Sequence, residues 1–321
     1  MKTPVIHMQS ESYNMPYHIP ALLPQSLQAL DIRPDGIYVD ATFGGGGHSG
    51  AIVKCLESDG HLYSFDQDLE AVERAFADEK FTIIHGNFRF LTNFLKYYGV
   101  CGKVDGILAD LGVSFHHFDD PERGFSFRND GPIDMRMNQT AKLTAAELLN
   151  TATEEKLVAI FRDYGELKQA RRLAGAIVNA RISRPFSTIF QLLETISPYI
   201  DSRQEKKELA MFFQSLRIEV NGELDALKAL LNQSLDALKP GGRLAIITYH
   251  SIEDRIVKNF MKTGSISGKR RTDFFGRDLS PFKLLNSKPI TPDAEEIAAN
   301  PRSRSAKLRV SVKLNKIPTN G

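Results

Sequence analysis

A run of glycines and two aspartates each follow a short apolar segment of this sequence. Gly44 to Gly47 come directly after one such segment, and Asp66 and Asp110 end two others. Because glycine has no Cβ, this run can adopt positive φ and lie directly against a ligand. An aspartate about 20 residues beyond such a loop can accept hydrogen bonds from both ribose hydroxyls of an adenosine. The spacing therefore predicts an adenosine-containing ligand, with a helix N-cap as the alternative role for Asp66.

Two adenosine-containing ligands fit this pattern, a nicotinamide dinucleotide and S-adenosylmethionine. The glycines at 45, 47 and 50 satisfy the dinucleotide pattern, which on its own is a weak signal. A dinucleotide needs a free helix N-terminus for its pyrophosphate, whereas the ammonium group of S-adenosylmethionine is attracted by a carboxylate. Asp40, at the end of the first apolar segment, supplies such a carboxylate. The second mononucleotide-binding half of a full dinucleotide fold is also missing, so we favour S-adenosylmethionine.

The elements that position these residues are predicted from apolar runs bounded by turn residues. Four such runs read as strands, at 36–42, 61–66, 81–85 and 104–110. Segments with helical spacing lie between them, and strands that alternate with helices form a parallel sheet covered on both faces. Ligands bind such sheets beyond the carboxyl ends of the strands. We therefore expect Asp40, Asp66 and Asp110 to share one edge of the sheet.

The alternation of strands and helices stops after the fourth strand. Residues 114–138 predict a loop, and 144–224 show helical periodicity without a convincing strand. A helix at 223–238 and a strand at 243–249 then resume the alternation, and a last strand is predicted at 307–314 after an irregular segment at 264–306. The sequence therefore predicts an α/β fold with a Rossmann-like, mostly parallel sheet and a helical insertion after the fourth strand.

This pattern predicts two domains, in agreement with a length of 321 residues. Residues 1–115 and 225–321 are expected to form a discontinuous sheet domain. Residues 116–224 are expected to form a loop and helical domain that recognises the substrate.

The composition is that of a soluble globular protein, with 42% hydrophobic and 25% charged residues. A net charge of only +2 provides no molecule-wide attraction for nucleic acid, so any such site must be a local patch. The two cysteines have no paired spacing, which argues against a disulfide framework or a thiolate metal site and fits a reducing cytoplasm. The first 20 residues lack an apolar signal core, and no segment is long enough to span a bilayer. We expect a cytoplasmic protein without a membrane or metal partner.

Several motifs resemble those of one known family. The turn Lys-Pro-Gly-Gly at 239–242 and the position of Asp110 are similar to those of class I S-adenosylmethionine-dependent methyltransferases. More specific motifs are RPDGIYVDATF from Arg33, GGHS from Gly46, DGILADLGVS from Asp105, ERGFSF from Glu122, DGPIDMRM from Asp130, YGE from Tyr164, FQSLRI from Phe213, VNGEL from Val220, HSIEDRIVK from His250 and NPRSRS from Asn300. Together, and in this order, they resemble the ribosomal small subunit methyltransferase H family, also known as the MraW family.

The resemblance implies transfer of a methyl group from S-adenosylmethionine to the exocyclic N4 of a cytidine in the decoding region of 16S ribosomal RNA. It implies that the cofactor is bound by residues at Gly46, Gly47, His48, Asp66, Phe88 and Asp110, and by a glutamine whose place is taken here by His117. Imidazole can replace one hydrogen bond of that glutamine. Gly45 stands where the family has a basic residue. The expected partner is 16S ribosomal RNA within the small ribosomal subunit.

Asp110 is the strongest candidate for a direct role in the chemistry. The N4 amine of cytosine is a poor nucleophile because its lone pair is delocalised into the ring. An acceptor for one amine hydrogen would help this nitrogen to attack a methyl group. Asp110 is followed by Leu-Gly-Val, without the aromatic residue that other amino-methyltransferases place here. Contact with the cofactor and acceptance of the amine hydrogen are both open roles for this carboxylate.

Three further residues have alternative structural roles. Asp134, with Arg136, could contact the target base or its phosphate, or the two could form an ion pair that orders their loop. Phe88 could stack on adenine or pack in the core. His250, at the end of the predicted fifth strand, could face the substrate. Ser251 to Asp254 resembles a capping box rather than part of a hydrolase triad, since no Gly-x-Ser-x-Gly motif is present.

Basic residues collect in the predicted irregular segment. They are Lys269, Arg270, Arg271, Arg277, Lys283 and Lys288, with Phe274, Phe275 and Phe282 among them, followed by Arg302, Arg304, Lys307 and Arg309. Cations interleaved with aromatic rings suit single-stranded RNA, although a solvated loop is the usual meaning of a charged run. Arg171 and Arg172 in the helical insertion could also cross RNA or remain in water. The remaining alternatives are an oxidoreductase and an RNA-binding protein with a vestigial cofactor pocket.

Overall fold

The computed structural model describes residues 20–113 and 115–315. The predicted absence of a signal sequence concerns residues 1–19 and therefore lies outside the described residues, as does Ser114 of the family motif. The strands are β1 Ile37–Asp40, β2 His61–Asp66, β3 Phe81–His85, β4 Val104–Asp110, β5 Leu238–Thr248, β6 Phe282–Leu284 and β7 Lys307–Lys313. The helices are α1 Leu23–Leu30, α2 Gly47–Val53, α3 Leu69–Glu73, α4 Leu91–Tyr97, α5 Phe115–Asp119, α6 Ala145–Thr151, α7 Glu154–Asp163, α8 Ala170–Ser183, α9 Ile189–Ile196, α10 Glu205–Asn221, α11 Glu223–Ala237, α12 Ser251–Thr263 and α13 Ala294–Ala299.

All seven strands form one sheet in the order β3-β2-β1-β4-β5-β7-β6. The first five strands are parallel, and β7 runs antiparallel between β5 and β6. The predicted mostly parallel sheet is therefore confirmed. The chain leaves β1 toward β2 on one side and reaches β4 on the other, and such a reversal opens a crevice at the carboxyl ends of the strands.

Alternating side chains of the strands enter two hydrophobic layers. In β4, Ile107 packs with α4, α11 and α12, while its neighbour Leu108 packs with α1 and α2 on the opposite face. Both side chains are fully buried. Successive residues of a strand point to opposite faces, so a strand that is buried on both faces must be apolar throughout. This requirement explains why β4 is recognisable from sequence alone.

The segment between β4 and β5 folds into helices α6 to α10 around a hydrophobic core of its own. Phe161, Leu173 and Phe212 are fully buried at its centre. The predicted helical insertion after the fourth strand is therefore confirmed. At its end, Gly222 takes φ 60° and joins α10 to α11, which packs on the sheet. This turn places one face of α10 beside the crevice of the sheet.

Three local expectations were wrong. The predicted loop at 114–138 contains α5, and the predicted irregular segment at 264–306 contains β6 and α13. Elements of only three to six residues bury too few apolar side chains to give a clear periodicity. The fifth strand begins at Leu238 rather than at residue 243, because β4 pairs with both sides of the Pro-Gly-Gly turn through a register shift. No helix in the described ranges combines the length and apolarity needed to cross a membrane.

Candidate active site

A cleft of about 920 Å³ lies at the carboxyl ends of the parallel strands. One part is lined by the glycine loop, the ends of β2 and β3, and helix α5 with His117. The other is lined by residues 125–129, by α10 and by the end of β5. Asp110 and Tyr249 line the same cleft, at the ends of the neighbouring strands β4 and β5. The volume is in the range of small-molecule sites.

The glycine loop approaches the cleft with its backbone. Gly44 and Gly46 have φ of 52° and 75°, which side chains rarely adopt. A Cβ at Gly44 or Gly45 would meet no atom within 4 Å, so the space in front of both residues is open. A Cβ at Gly46 would lie 2.8 Å from the Phe43 ring, and Gly46 is absent from the described lining of the cleft. Gly46 therefore shapes the loop, while its neighbours face the ligand space.

Asp66 ends β2 beside this loop. Its two carboxylate oxygens accept hydrogen bonds from the backbone of Gly44 at 2.8 Å and of Asp68 at 2.9 Å. Asp68, and not Asp66, is the N-cap of α3, since it accepts a hydrogen bond from the backbone of Glu70. Each oxygen of Asp66 retains a second lone pair toward the cleft, which suits ribose hydroxyls. Burial raises the pKa of this carboxyl above its ordinary value.

Asp40 does not face the ligand, contrary to the sequence interpretation. It is fully buried, and its carboxylate accepts hydrogen bonds from Ser49 Oγ at 2.6 Å and from the Thr42 backbone at 3.1 Å. Burial raises its pKa to about 7. These bonds tie β1 to the start of α2 and hold the glycine loop between them. A side chain at the end of a strand can point into the cleft or into the protein interior, and its place at the strand end does not decide between the two.

Asp110 is the carboxylate of β4 that reaches the cleft. Its Oδ1 accepts a hydrogen bond from the Tyr249 hydroxyl at 2.8 Å, and its backbone N–H donates to Thr42 Oγ1 at 2.7 Å. The side chain is 22% exposed. Burial raises its pKa to about 7, against the opposing effect of the Tyr249 hydrogen bond. The second oxygen, Oδ2, faces His48 Nδ1 across 3.8 Å.

His48 presents a lone pair toward Asp110. Its buried ring is neutral near pH 7, because burial lowers its pKa to about 4. The Nε2 atom donates to the carbonyl of Ala21 at 3.2 Å, so Nδ1 carries no proton. Two acceptor atoms, His48 Nδ1 and Asp110 Oδ2, therefore converge on the same space. Such a pair of acceptors fits the ammonium group of S-adenosylmethionine or an amine, so the chemistry of the cleft suits this cofactor.

His117, which takes the place of the family glutamine, lines the cleft between two neighbours. Its Nε2 donates to Asp68, and its ring stacks on Phe125 with centroids 5.0 Å apart. The buried Nδ1 has no hydrogen-bond partner among the described residues. Arg123 also binds Asp68, at 3.1 Å. Burial alone would raise the pKa of Asp68, but His117 and Arg123 outweigh it and bring it to about 2. One ring nitrogen of His117 thus remains for a ligand.

The other predicted residues differ in their access to the cleft. Phe88 lines it and is half-buried, three residues beyond the end of β3, where a ring can stack on a base. Asp134 is not among the described residues that line the cleft, and its carboxylate accepts two hydrogen bonds from the guanidinium of Arg136, at 2.8 and 2.6 Å. Arg136 also donates to the carbonyl of Ala141, so the pair orders this loop.

His250 lines the cleft, but the helix behind it is not capped as expected. The N-cap of α12 is His250, whose Nδ1 accepts from the backbone of Glu253 at 3.5 Å. The predicted capping box from Ser251 to Asp254 is wrong, because Ser251 donates instead to Glu166 at 2.7 Å. His250 Nε2 lies 3.1 Å from Glu253 Oε1. Burial of Glu253 would raise its pKa, and His250 reverses this effect.

Sequence reasoning missed the residues that come from distant segments. Tyr249 meets Asp110 through the pairing of β4 and β5, and Phe213, Gln214 and Arg217 reach the cleft from α10. The helical periodicity of residues 144–224 and the FQSLRI motif both indicated a helix here, but neither gave the direction of its side chains. The guanidinium of Arg217 donates two hydrogen bonds to the carboxylate of Glu223, at 2.8 and 3.0 Å. In the described ranges, no group of three His, Cys, Asp or Glu side chains could hold a metal ion.

Fold and cleft together define a class I S-adenosylmethionine-dependent methyltransferase. The family model described as the MraW methylase family matches residues 15–314. A ribosomal RNA small subunit methyltransferase H from Parabacteroides distasonis is 58% identical over 93% of this chain and 98% of its own length. The protein of the same name from Phocaeicola vulgatus is 59% identical over 92% of this chain and 97% of its own. The chain belongs to the MraW methylase family, which decides between the two ligands in favour of S-adenosylmethionine.

Proposed function

We propose that this enzyme methylates the exocyclic N4 of a cytidine in the decoding region of 16S ribosomal RNA, at the P site of the small subunit. The names of the relatives from Parabacteroides and Phocaeicola support ribosomal RNA of the small subunit as substrate. The observation that carries the choice of N4 is the Asp110 carboxylate, which has one oxygen held by Tyr249 and the other directed at His48.

The bound cofactor supplies an electrophilic methyl group on a sulfonium centre. The protein must then help the cytosine amine to use its lone pair. An ionised Asp110 can accept one N4 hydrogen through Oδ2 and draw the nitrogen out of conjugation. Its negative charge also offsets the positive charge that develops on the attacking nitrogen. Holding the two reactants in one cleft supplies a further part of the acceleration.

Methylation at C5 of cytosine would need a different residue. That reaction requires a cysteine thiolate that adds to the ring. Cys55 is exposed after α2, and Cys101 precedes β4 at the other end of the sheet. Neither is among the described residues that line the cleft. The absence of a thiol near Asp110 favours the amine over the ring carbon as the target.

The insertion supplies the wall of the cleft opposite the glycine loop. Phe127 and Phe213 contact each other edge to face there, with centroids 5.4 Å apart, and Gln214 and Arg217 are close by on α10. Aromatic rings and amide or guanidinium donors are the groups that hold an unstacked RNA base. As part of this proposal, residues 116–224 form the substrate-recognition domain, and residues 1–115 and 225–321 form the methyltransferase domain. An enzyme with this substrate would work in the cytoplasm.

The proposal is tested by transfer of tritiated methyl groups to free 16S RNA, to small subunits and to whole ribosomes. We expect incorporation into RNA, and digestion with mass spectrometry against N4- and C5-methylcytidine standards should identify the N4 product. A C5 product would refute the role given to Asp110. The absence of methyl transfer to every RNA would instead support the remaining alternative, an RNA-binding protein with a vestigial cofactor pocket.

A further inference from the structure

The basic segment that the sequence presents as one unit is divided between two edges of the sheet. Arg302 lines the cleft and donates to Asp119 of α5 at 2.7 Å. Residues 264–281, which we call the far loop, lie elsewhere. Helix α12 starts at the cleft and its 13 residues carry the chain about 20 Å away from it. Strand β6 then begins at the amino edge of the sheet, where Phe282 pairs with Lys313.

The far loop has a defined internal structure. Asp273 accepts hydrogen bonds from the backbone of Phe275 and of Arg277, each at 2.9 Å, and from the Arg277 side chain at 2.6 Å. The backbones of Thr272 and Asp278 form an isolated antiparallel β-bridge at the base of the turn, and the backbone N–H of Leu279 donates to the carbonyl of Arg271. The carboxylate of Asp273 is therefore bound by groups of the loop itself. None of the residues 264–281 is among the described residues that line the cleft.

Two adjacent aromatic rings project from this turn into solvent. Phe274 is 96% and Phe275 is 78% exposed, and the rings meet edge to face with centroids 5.6 Å apart. The guanidinium of Arg277 lies 5.4 Å from the centre of the Phe275 ring. Exposure of two large rings costs free energy in water, about 25 cal/mol for each Å² of apolar surface that stays uncovered. Rings in this arrangement therefore indicate a surface that is covered by a partner.

The chemistry around these rings identifies the partner class. Lys269, Arg270 and Arg271 are exposed beside them. In single-stranded RNA, each base has a flat apolar face and each phosphate linkage has a negative charge. Aromatic rings can stack on the bases while the neighbouring cations pair with the phosphates. An acidic peptide would match the cations but offers no series of flat faces. Double-stranded RNA would also match the cations, but its stacked bases are not available to the rings.

We propose that the far loop binds a stretch of single-stranded RNA that is distinct from the nucleotides entering the cleft. This inference rests on the proposed action on ribosomal RNA. Because the loop lies at the opposite edge of the sheet, it contributes affinity for a large RNA and has no part in the methyl transfer itself. The enzyme thus has two RNA contacts on one rigid sheet, and joining two contacts raises the overall affinity for a substrate that reaches both.

The test uses the double variant Phe274→Ala/Phe275→Ala and a fluorescent 20-nucleotide oligouridine, which contains no target cytidine. The variant removes both rings on which bases would stack, so we expect binding of this probe to weaken at least tenfold. The matched control is Tyr97→Ala, which removes an aromatic ring that is 82% exposed on α4 and should leave the affinity unchanged. Equal affinity of the double variant and the wild type for oligouridine overturns the proposal.

Two further measurements separate the partner and the underlying function. With small subunits as substrate, the double variant should raise the KM and keep the kcat of methyl transfer, since the cleft is untouched. A loss of affinity for small subunits with unchanged binding of oligouridine would assign the far loop to a protein partner and refute the RNA site. If the wild-type enzyme methylates no RNA, the proposed function fails, and binding of oligouridine still decides the role of the far loop.

Discussion

Removal of the Tyr249 hydroxyl tests whether Asp110 acts as an ionised group. In the Tyr249→Phe variant, Asp110 loses the 2.8 Å hydrogen bond to Oδ1 while the aromatic ring remains. Burial raises the pKa of Tyr249 far above its ordinary range, so the hydroxyl keeps its proton and donates throughout the accessible pH range. This donation favours the carboxylate over the carboxylic acid. Its loss must therefore raise the pKa of Asp110.

The size of the effect follows from the hydrogen bond. A hydrogen bond to a charged group contributes about 1.5–3 kcal/mol, and 1.36 kcal/mol corresponds to one pH unit. We expect the midpoint of the pH–rate profile, near pH 7 for the wild type, to rise by about one to two pH units. The rate at pH 7 should fall about five- to fiftyfold and should recover to at least about half of its full value at pH 9, because the ionised form is then largely restored. The other groups that act on Asp110 are His48, Asp40 and Glu253, and the substitution leaves all three in place.

The assay is single-turnover methyl transfer to small subunits at saturating S-adenosylmethionine between pH 6 and 9. Tyr98→Phe is the matched control, since Tyr98 packs on Tyr63 and is absent from the described lining of the cleft. A uniform loss of rate at every pH would mean that Tyr249 only supports the packing of the site. An unchanged profile would refute the idea that ionisation of Asp110 limits the reaction.

Three further predictions concern single aspartates. Asp110→Asn keeps one acceptor oxygen but removes the charge, and single-turnover kinetics at saturating cofactor should show a loss on the order of 10²-fold; an unchanged rate would leave Asp110 as a binding residue alone. Asp66→Ala should weaken S-adenosylmethionine binding by about 1.5–3 kcal/mol in calorimetry, and an equal affinity would refute the ribose assignment. The pKa of buried Asp40 is raised to about 7, so the folded state binds its proton more tightly than the unfolded state does. The free energy of unfolding should therefore fall as pH rises from about 4 to 7, by at most about 1.4 kcal/mol per pH unit. Denaturant titrations at several pH values should show that the unfolding free energy of Asp40→Asn depends less on pH than that of the wild type.

The sequence by itself determined the elements whose burial imposes a pattern on it. Strands β2, β3 and β4 were predicted with the bounds that the structure has, because each is a short, mostly apolar run bounded by turn residues. The glycine loop was predicted because glycine adopts a φ of 75°, as at Gly46, without the steric cost that a side chain would add. The helical insertion was predicted from its periodicity. These features depend on residues that are close together in the sequence, so the sequence alone predicts them.

Only the tertiary structure decided which side chains share the cleft and in which direction they point. Asp40 and Asp110 both end strands, yet Asp40 is buried against Ser49 and Asp110 opens into the cleft. Tyr249 reaches Asp110 across 139 positions of sequence through the pairing of two strands. The basic residues near Arg270 and Arg302 are close in sequence but lie at opposite edges, because α12 and β6 carry the chain across the sheet. Contacts between distant segments are set by the packing of whole elements, and no local pattern of residues encodes them.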